Sequence, residues 1–227
     1  MVNSRWTFER MELLWERSLK LVHPPCSTEA FGRLPLSEKQ DNTIISLAQF
    51  RPEKNHAMQL HILRRYFDLF PARETAVRLI IVGSCRNADD LNYLTSLKDL
   101  AWSLGLNHRV NFIVNLSFGK VLEELQKAGI GLHTMRDEHF GIGVVELMLA
   151  GVIPIAHNSG GPRDDIIKED VGFLASDVDE YVEKLDHIFR LQPSQRTTLR
   201  ISARLSARRF SEDNFQKAFL DCLNGLL

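Results

Sequence analysis

The 227-residue sequence has few cysteines and no long hydrophobic segment. Its three cysteines, Cys26, Cys85 and Cys222, are odd in number and form no C-x-x-C pair, which argues against a disulfide framework and a zinc site. The longest apolar stretches, such as residues 79–82, are much shorter than the roughly 20 residues of a membrane span. Charged residues also interrupt any signal-peptide core at the N-terminus. We therefore expect a chain that is soluble by itself and faces a reducing compartment.

Several motifs for binding nucleic acids and nucleotide cofactors are missing as well. The net charge is −1, and lysine and arginine are spread along the chain, so no nucleic-acid-binding surface is indicated. No G-x-G-x-x-G follows a predicted strand, which disfavours nicotinamide and flavin enzymes, and there is no G-x-x-x-x-G-K-[ST] phosphate loop. What remains is a composition of 44% hydrophobic and 25% charged residues, which is ordinary for an α/β protein.

Short apolar runs alternate with segments of helical period from about residue 43 onward. Strands are predicted at residues 43–48, 78–82, 110–114, 130–133 and 152–156, with a weaker one at 172–174. Such alternation predicts an α/β fold with a Rossmann-like parallel sheet and helices on both faces. Ligands of these sheets bind beyond the carboxyl ends of the strands, so the residues that follow each strand are the candidates for a site.

The first 36 residues do not continue this pattern. Residues 1–4 resemble the end of a strand, and residues 7–20 have the period of a helix with one apolar face. The His-Pro-Pro segment that follows is extended, because proline excludes a helix there. One strand end, one helix and a linker do not make a domain. Residues 1–36 are therefore predicted to be the remnant of a preceding domain and an interdomain linker.

The rest of the chain divides into one domain and a C-terminal extension. Residues 37–192 contain all the strands of the predicted sheet and are predicted to form the ligand-binding domain, and residues 193–227 are predicted to contain two helices and no strand. Apolar side chains such as Trp6 and Trp15 at the front and Phe210 at the back are expected to pack toward the preceding domain.

Two cations follow the first predicted strand. Arg51 and Lys54 lie at a strand-to-helix junction, where the helix N-terminus adds free N–H groups and the positive end of its dipole. This arrangement suits a diphosphate, although a solvated loop has the same composition. Gly83 ends the second strand, where a glycine allows close approach of a ligand or is simply a turn residue.

The most informative segment is E-H-F-G-I-G-V-V-E at residues 138–146. Its two carboxylates, Glu138 and Glu146, enclose a glycine-rich turn, and Glu146 falls inside a predicted helix over residues 143–150 that is otherwise apolar. A carboxylate in such surroundings needs donors, and the vicinal hydroxyls of a sugar supply two. The alternative is an exposed glutamate on a helix surface.

Other polar segments carry less information. The turn at residues 158–162, N-S-G-G-P, is predicted to feed the first turn of a helix and to form a second wall of the same cleft. Asp177 and Asp179 match a D-x-D metal motif, but they fall at a helix start, where an aspartate is a good N-cap. His133 ends an apolar strand and is interpreted as a core residue, and the role of His139 stays open.

Taken in order, these segments resemble the C-terminal, donor-binding domain of glycosyltransferase family 4. The resemblance rests on R-P-E-K, a glycine-ended second strand, E-H-F-G-I-G-V-V-E and N-S-G-G-P. Residues 48–55, 131–146 and 156–162 are most similar to the family's α-1,2-mannosyltransferases that elongate dolichol-linked oligosaccharides from GDP-mannose. The resemblance covers this chain but only the second half of the family's two-domain architecture, which is called GT-B.

The resemblance implies a retaining hexosyltransferase of N-glycan precursor assembly at the cytosolic face of the endoplasmic reticulum membrane. It implies GDP-mannose as donor and no metal or other cofactor. The lipid-linked oligosaccharide acceptor would bind through the missing N-terminal domain, and other transferases of the same pathway would be partners. Because the acceptor half is absent, the chain alone is expected to be inactive.

The family's site residues transfer to this chain only through matching positions. Lys54, with Arg51, would hold the diphosphate, Glu146 the ribose hydroxyls, and Glu138 would face the transferred sugar. Backbone N–H groups near the sugar and phosphates would come from Phe140, Gly141 and Gly143, and Gly83 is assigned to donor binding as a position of close approach. One departure is Gln49, which stands where many members have an arginine five residues before the lysine.

Two other functions remain open on the sequence. A non-catalytic donor-binding subunit would need a partner chain for its acceptor site. A sugar-nucleotide epimerase of related fold would have the same diphosphate site together with a catalytic histidine.

Overall fold

A six-stranded parallel sheet lies at the centre of the computed structural model, which describes residues 1–15, 19–37, 39–168 and 170–224. The strands are β1 (Gln40–Leu47), β2 (Arg78–Gly83), β3 (Val110–Val114), β4 (Ala128–His133), β5 (Ile153–His157) and β6 (Phe173–Ala175). The helices are α1 (Arg5–Glu12), α2 (Thr28–Gly32), α3 (His56–Leu69), α4 (Ala88–Ser103), α5 (Phe118–Lys127), α6 (Ile142–Leu149), α7 (Val178–Arg190), α8 (Pro193–Ala207) and α9 (Glu212–Asn224).

The strand order confirms the predicted Rossmann-like topology. It runs β3-β2-β1-β4-β5-β6, and every neighbouring pair is parallel. All six predicted strands are present, including the weak sixth. The chain order reverses between β1 and β4, and ligands of such sheets bind in the crevice that this reversal opens at the carboxyl ends of the strands.

The central strands of the sheet are buried on both faces, as is usual for a parallel sheet covered by helices on both sides. All six residues of β4 and all five of β5 are buried. Successive residues of β1 point to opposite faces of the sheet. Ile44 packs in the hydrophobic core with α3, α4 and α7, whereas Ile45 packs in the core with α5, α6 and α8. This two-sided packing holds the strand ends in fixed positions around the crevice.

The N-terminal segment differs from its prediction. The helix expected over residues 7–20 begins at Arg5, because the Ser4 hydroxyl accepts the Thr7 N–H at 3.1 Å, and it ends at Glu12. Part of the predicted span, residues 16–18, lies outside the described residues. The expected strand end at residues 1–4 makes a single parallel bridge between Val2 and Leu21.

The C-terminal extension forms the two predicted helices, α8 and α9. Phe210, expected to face a preceding domain, is instead 2% exposed and packs edge-on against Phe140 and His23, with ring centroids 5.2 and 5.3 Å away. Phe210 is therefore buried by contacts within this chain.

Within the described ranges, every helix falls short of the length and apolar content that spanning a bilayer requires.

Candidate functional site

A cavity of about 750 Å³ opens at the carboxyl ends of β1, β2 and β4. It therefore occupies the crevice between β1 and β4 that the strand order predicts. Its size is typical of a site for a small organic ligand. The loop and first turn at residues 138–143 form one wall, and the ends of β1 and β2 form the other.

Lys54 reaches this cavity from the β1 side. Pro52–Lys54 form one 3₁₀ turn, and Asn55 then takes a left-handed conformation with φ 54° before α3 begins. The Thr134 hydroxyl, just past β4, lies 3.1 and 3.0 Å from the carbonyl oxygens of Lys54 and Asn55, while the Gln59 amide donates to that hydroxyl at 3.0 Å. Hydrogen bonds to the end of β4 thus hold the backbone of Lys54 in place, and Lys54 does not lie in a solvated loop.

The Glu138 carboxylate lies at the centre of a charged cluster. Its Oε2 atom is 2.5 Å from Lys54 Nζ and 3.4 Å from His133 Nε2. Burial opposes ionisation of Glu138, but the neighbouring His133 and Lys54 outweigh it and lower the pKa of the carboxyl from 4.5 to about 2. Glu138 is therefore an anion at neutral pH.

Glu146 is in the opposite electrostatic situation. It projects from α6 into the cavity, and no hydrogen-bond or ion-pair partner for its carboxylate is found among the described residues. Burial alone raises the pKa of Glu146 from 4.5 to about 7. A half-buried carboxylate without a protein donor can accept hydrogen bonds from a pair of ligand hydroxyls.

Glycines shape the wall between these carboxylates. Gly141 immediately precedes α6 and has φ 101°, a backbone conformation that residues other than glycine rarely adopt. Ile142 and Gly143, the first two residues of α6, line the cavity, and the N–H groups at a helix start have no acceptor within the helix. On the other wall, a side chain at Gly83 would collide with the Ala48 carbonyl. A glycine at position 83 is thus required by the close approach of the chain just past β1.

The turn at residues 158–162 supports the Glu138 loop from outside the cavity. The Ser159 hydroxyl accepts the Asp137 N–H at 2.8 Å, and the Gly161 N–H donates to the Glu138 carbonyl at 2.8 Å. These residues do not line the cavity, so the prediction of a second cleft wall was wrong. His139, whose role the sequence left open, stacks on Trp6 with ring centroids 4.7 Å apart.

The structure brings most of the predicted site residues together. The cavity is lined by the predicted residues Lys54, Gly83, Glu138, Phe140, Gly141, Gly143 and Glu146. Arg51 is not among its lining residues, and its guanidinium lies 3.7 Å from Glu53. The assignment of Arg51 to the diphosphate stays a prediction.

His133 is the residue that the sequence interpretation missed. It is 6% exposed, as a core residue would be, but it lines the cavity and contacts Glu138. Its place at the last position of β4 was the available signal, because ligand-binding residues of such sheets follow the strand ends.

The D-x-D aspartates have structural roles, as interpreted. Asp177 caps α7 by accepting the Glu180 N–H at 2.9 Å, and Asp179 lies 2.9 Å from Arg65. Across the described ranges, no three His, Cys, Asp or Glu side chains are grouped so as to hold a metal ion. Metal independence stays a prediction.

Comparison with known proteins identifies relatives over nearly the whole chain. The "GDP-Man:Man(3)GlcNAc(2)-PP-Dol alpha-1,2-mannosyltransferase" of Xenopus laevis is 43% identical over 230 residues, covering 97% of this chain and 47% of that protein. The protein of the same name from Homo sapiens is 40% identical over 236 residues, covering 100% of this chain and 48% of its own length. The chain thus spans about half the length of the curated relatives it matches.

Solved structures agree on the fold. Anabaena Alr3699/HepE, solved in complex with UDP and glucose, aligns with a TM-score of 0.82 at 18% identity, covering 99% of this chain and 62% of that chain. Sucrose-phosphate synthase from Thermosynechococcus elongatus aligns with a TM-score of 0.81, also at 18% identity, covering 99% and 57%. The fold is that of one Rossmann-like half of a GT-B glycosyltransferase.

The family profile described as "Glycosyl transferases group 1" matches residues 27–205. The matched segment includes all six strands and the cavity residues Lys54, His133, Glu138 and Glu146. The chain therefore belongs to the group 1 glycosyl transferases.

Proposed function

We propose that this chain is the donor-binding half of a retaining mannosyltransferase. The complete protein transfers mannose from GDP-mannose in α-1,2 linkage to a dolichol-diphosphate-linked oligosaccharide. The cavity at the β1/β4 crevice supports this proposal, because it combines a lysine, two carboxylates and a helix N-terminus. The names of relatives that are about 40% identical support the choice of donor and acceptor.

The proposed roles follow from the charges that develop during transfer. Negative charge accumulates on the departing diphosphate, and Lys54 and the N–H groups at the start of α6 are fixed positive groups beside it. Positive character develops on the sugar, which the Glu138 anion faces. Groups fixed in this way stabilise the transition state more than the ground state, and that difference accelerates the reaction.

Glu146 and the rest of the complete protein have separate roles in this proposal. The Glu146 carboxylate accepts the two ribose hydroxyls of the nucleotide. The acceptor binds to the part of the protein that lies outside this chain, at the cytosolic face of the endoplasmic reticulum membrane. No metal takes part, since fixed cations and backbone N–H groups neutralise the diphosphate.

We expect calorimetric titration of this chain to show binding of GDP that is stronger than that of UDP or ADP. Ribose and diphosphate contacts are common to all three nucleotides, so a difference in affinity reports on the base. Equal affinities would leave the guanine assignment without support. Absence of binding by all three would overturn the proposed function.

Replacement of Lys54 by methionine is expected to weaken GDP binding by tenfold or more at low salt, on the order of one charge-assisted hydrogen bond. The difference from wild type should shrink as salt is raised, because the screening length falls from about 10 Å at 0.1 M to about 3 Å at 1 M. Titrations at several ionic strengths measure this.

The matched control for this substitution is Lys184→Met, which removes a lysine of α7 that pairs with Glu183 and does not line the cavity. It should bind GDP as wild type does at every salt concentration. A loss of affinity in Lys54→Met that is the same at all salt concentrations would contradict a contact between Lys54 and phosphate.

A further inference from the structure

The Glu138 carboxylate has two basic neighbours, and both contact the same oxygen. Oε2 is 2.5 Å from Lys54 Nζ and 3.4 Å from His133 Nε2, whereas Oε1 has no partner in the part of the chain described. The histidine contact is slightly longer than an ordinary hydrogen bond. Lys54 is therefore the primary counter-ion of Glu138 in the free protein.

The surroundings of His133 determine which ring nitrogen faces Glu138 as a donor. Its Nδ1 is buried without a hydrogen-bond partner among the described residues. A proton on Nε2 leaves only a lone pair unsatisfied at Nδ1, whereas a proton on Nδ1 would bury an N–H group without an acceptor. The Tyr181 hydroxyl donates to the His133 carbonyl at 2.7 Å and fixes the end of β4. An Nε2–H donor is thus held beside Glu138.

The proposed function places two demands on Lys54. The diphosphate carries more negative charge than one carboxylate, so a bound donor draws the ammonium group away from Glu138. Glu138 is 16% exposed at its side chain, and a buried carboxylate that loses its partner is costly. Donor binding therefore requires a second group that compensates Glu138.

The other basic groups around this loop make no contact with the Glu138 carboxylate among the described residues. Arg136 is 80% exposed and lies 3.7 Å from Asp137, His157 Nδ1 is 2.8 Å from Ser159 Oγ, and His139 stacks on Trp6. Burial first, and then the charge of Lys54, lower the pKa of His56 from 6.5 to about 4, so His56 supplies no positive charge at neutral pH. Within the described residues, His133 is thus the basic group besides Lys54 that contacts the Glu138 carboxylate.

We propose that His133 is a positioning residue for Glu138 in the donor-bound site. When the diphosphate engages Lys54, the contact between His133 Nε2 and Glu138 Oε2 shortens into a hydrogen bond that compensates the carboxylate and leaves Oε1 directed at the transferred sugar. This inference rests on the proposed function, since it requires a nucleotide-diphosphate sugar in the cavity.

The test is a double-mutant cycle measured by calorimetric titration of this chain with GDP-mannose. His133→Met removes the donor at similar side-chain length, and it should weaken binding about tenfold. His133→Gln retains an N–H near the position of Nε2 and should restore affinity to within about threefold of wild type. In a Glu138→Gln background, His133→Met should cost less than about twofold, because a neutral amide needs no compensating donor.

Each outcome bears on one of the two proposals. If His133→Met loses the same factor in GDP-mannose affinity in both backgrounds, His133 only shapes the cavity. If His133→Met binds GDP-mannose as wild type does, His133 has no effect on donor binding. Either result overturns the inference. Thermal unfolding of each variant shows whether it is folded. If His133→Met is not folded, the affinity of His133→Gln is compared with that of wild type instead. If the wild-type chain does not bind GDP-mannose, the proposed function fails together with the inference.

Discussion

Replacement of Glu146 by alanine is expected to weaken GDP binding by about ten- to a hundredfold. The carboxylate has no protein partner among the described residues, so its hydrogen-bonding capacity is available to the ribose hydroxyls. A charge-assisted hydrogen bond contributes about 1.5–3 kcal/mol, and each 1.4 kcal/mol is about a factor of ten in affinity. Calorimetric titration of the wild-type and variant chains with GDP measures the change.

Glu138→Ala is the matched control for this prediction, because it removes the other carboxylate of the cavity. GDP carries no mannose for Glu138 to contact, and loss of Glu138 frees Lys54 for the diphosphate. Affinity for GDP should therefore be unchanged or slightly higher. Equal affinity of wild type and Glu146→Ala would refute the ribose assignment, and a large loss in Glu138→Ala would mean that the two carboxylates have exchanged roles.

The second large effect concerns stability in the absence of ligand. Burial raises the pKa of Glu146 to about 7, so the folded chain binds a proton more tightly than the unfolded chain does. The associated stability is complete below the unfolded pKa of 4.5 and is lost as the pH rises to about 7. The resulting penalty above that pH is on the order of 3 kcal/mol, at about 1.4 kcal/mol per pKa unit.

Glu146→Gln removes this penalty while it preserves the shape of the side chain. The variant should exceed wild type in free energy of unfolding by up to about 3 kcal/mol near pH 8 and differ little near pH 4. Denaturant unfolding at both pH values measures the difference. Glu183→Gln on the exposed side of α7 is the control and should change little at either pH. A pH-independent difference for Glu146→Gln would contradict desolvation of the ionised carboxylate as the cause.

Under the proposed function, Glu146 thus destabilises the fold when ionised and contributes to binding of the nucleotide. The same desolvation that destabilises its ionised form also strengthens its hydrogen bonds to a ligand, because both effects arise from the low polarity around α6. Stability and function are often opposed in this way at binding sites.

The sheet was predictable because its signals are local. Each strand is a short apolar run, and a central parallel strand must be apolar on both faces, so the runs identify all six strands. The N-cap role of Asp177 was equally local, since cap and helix are adjacent in sequence. The end of α1 was not predictable in the same way. Leu13 and Leu14 continue the apolar pattern but lie 87% and 75% exposed beyond the helix.

The internal arrangement of the site could not be derived from spacing. Lys54 and Glu138 are 84 residues apart, and only the pairing of β1 with β4 brings them into contact. His133 is buried, as its apolar neighbours in sequence indicated, but its contact with the loop residue Glu138 could not be derived from that pattern. Phe210 was assigned to an external surface for a similar reason, since its partners His23 and Phe140 are remote in sequence.

Under the proposed function, the position of the crevice has a consequence for how the chain holds its donor. The unit β1–β3 supplies Lys54, and the unit β4–β6 supplies Glu138, Glu146 and His133. A cut in the connection between β3 and α5 would leave each fragment with one part of the site. Neither fragment could hold a donor by itself, and the ligand would favour their reassociation. In this proposal, affinity for the donor is a property of the joined half-sheets, and a bound donor links one half to the other.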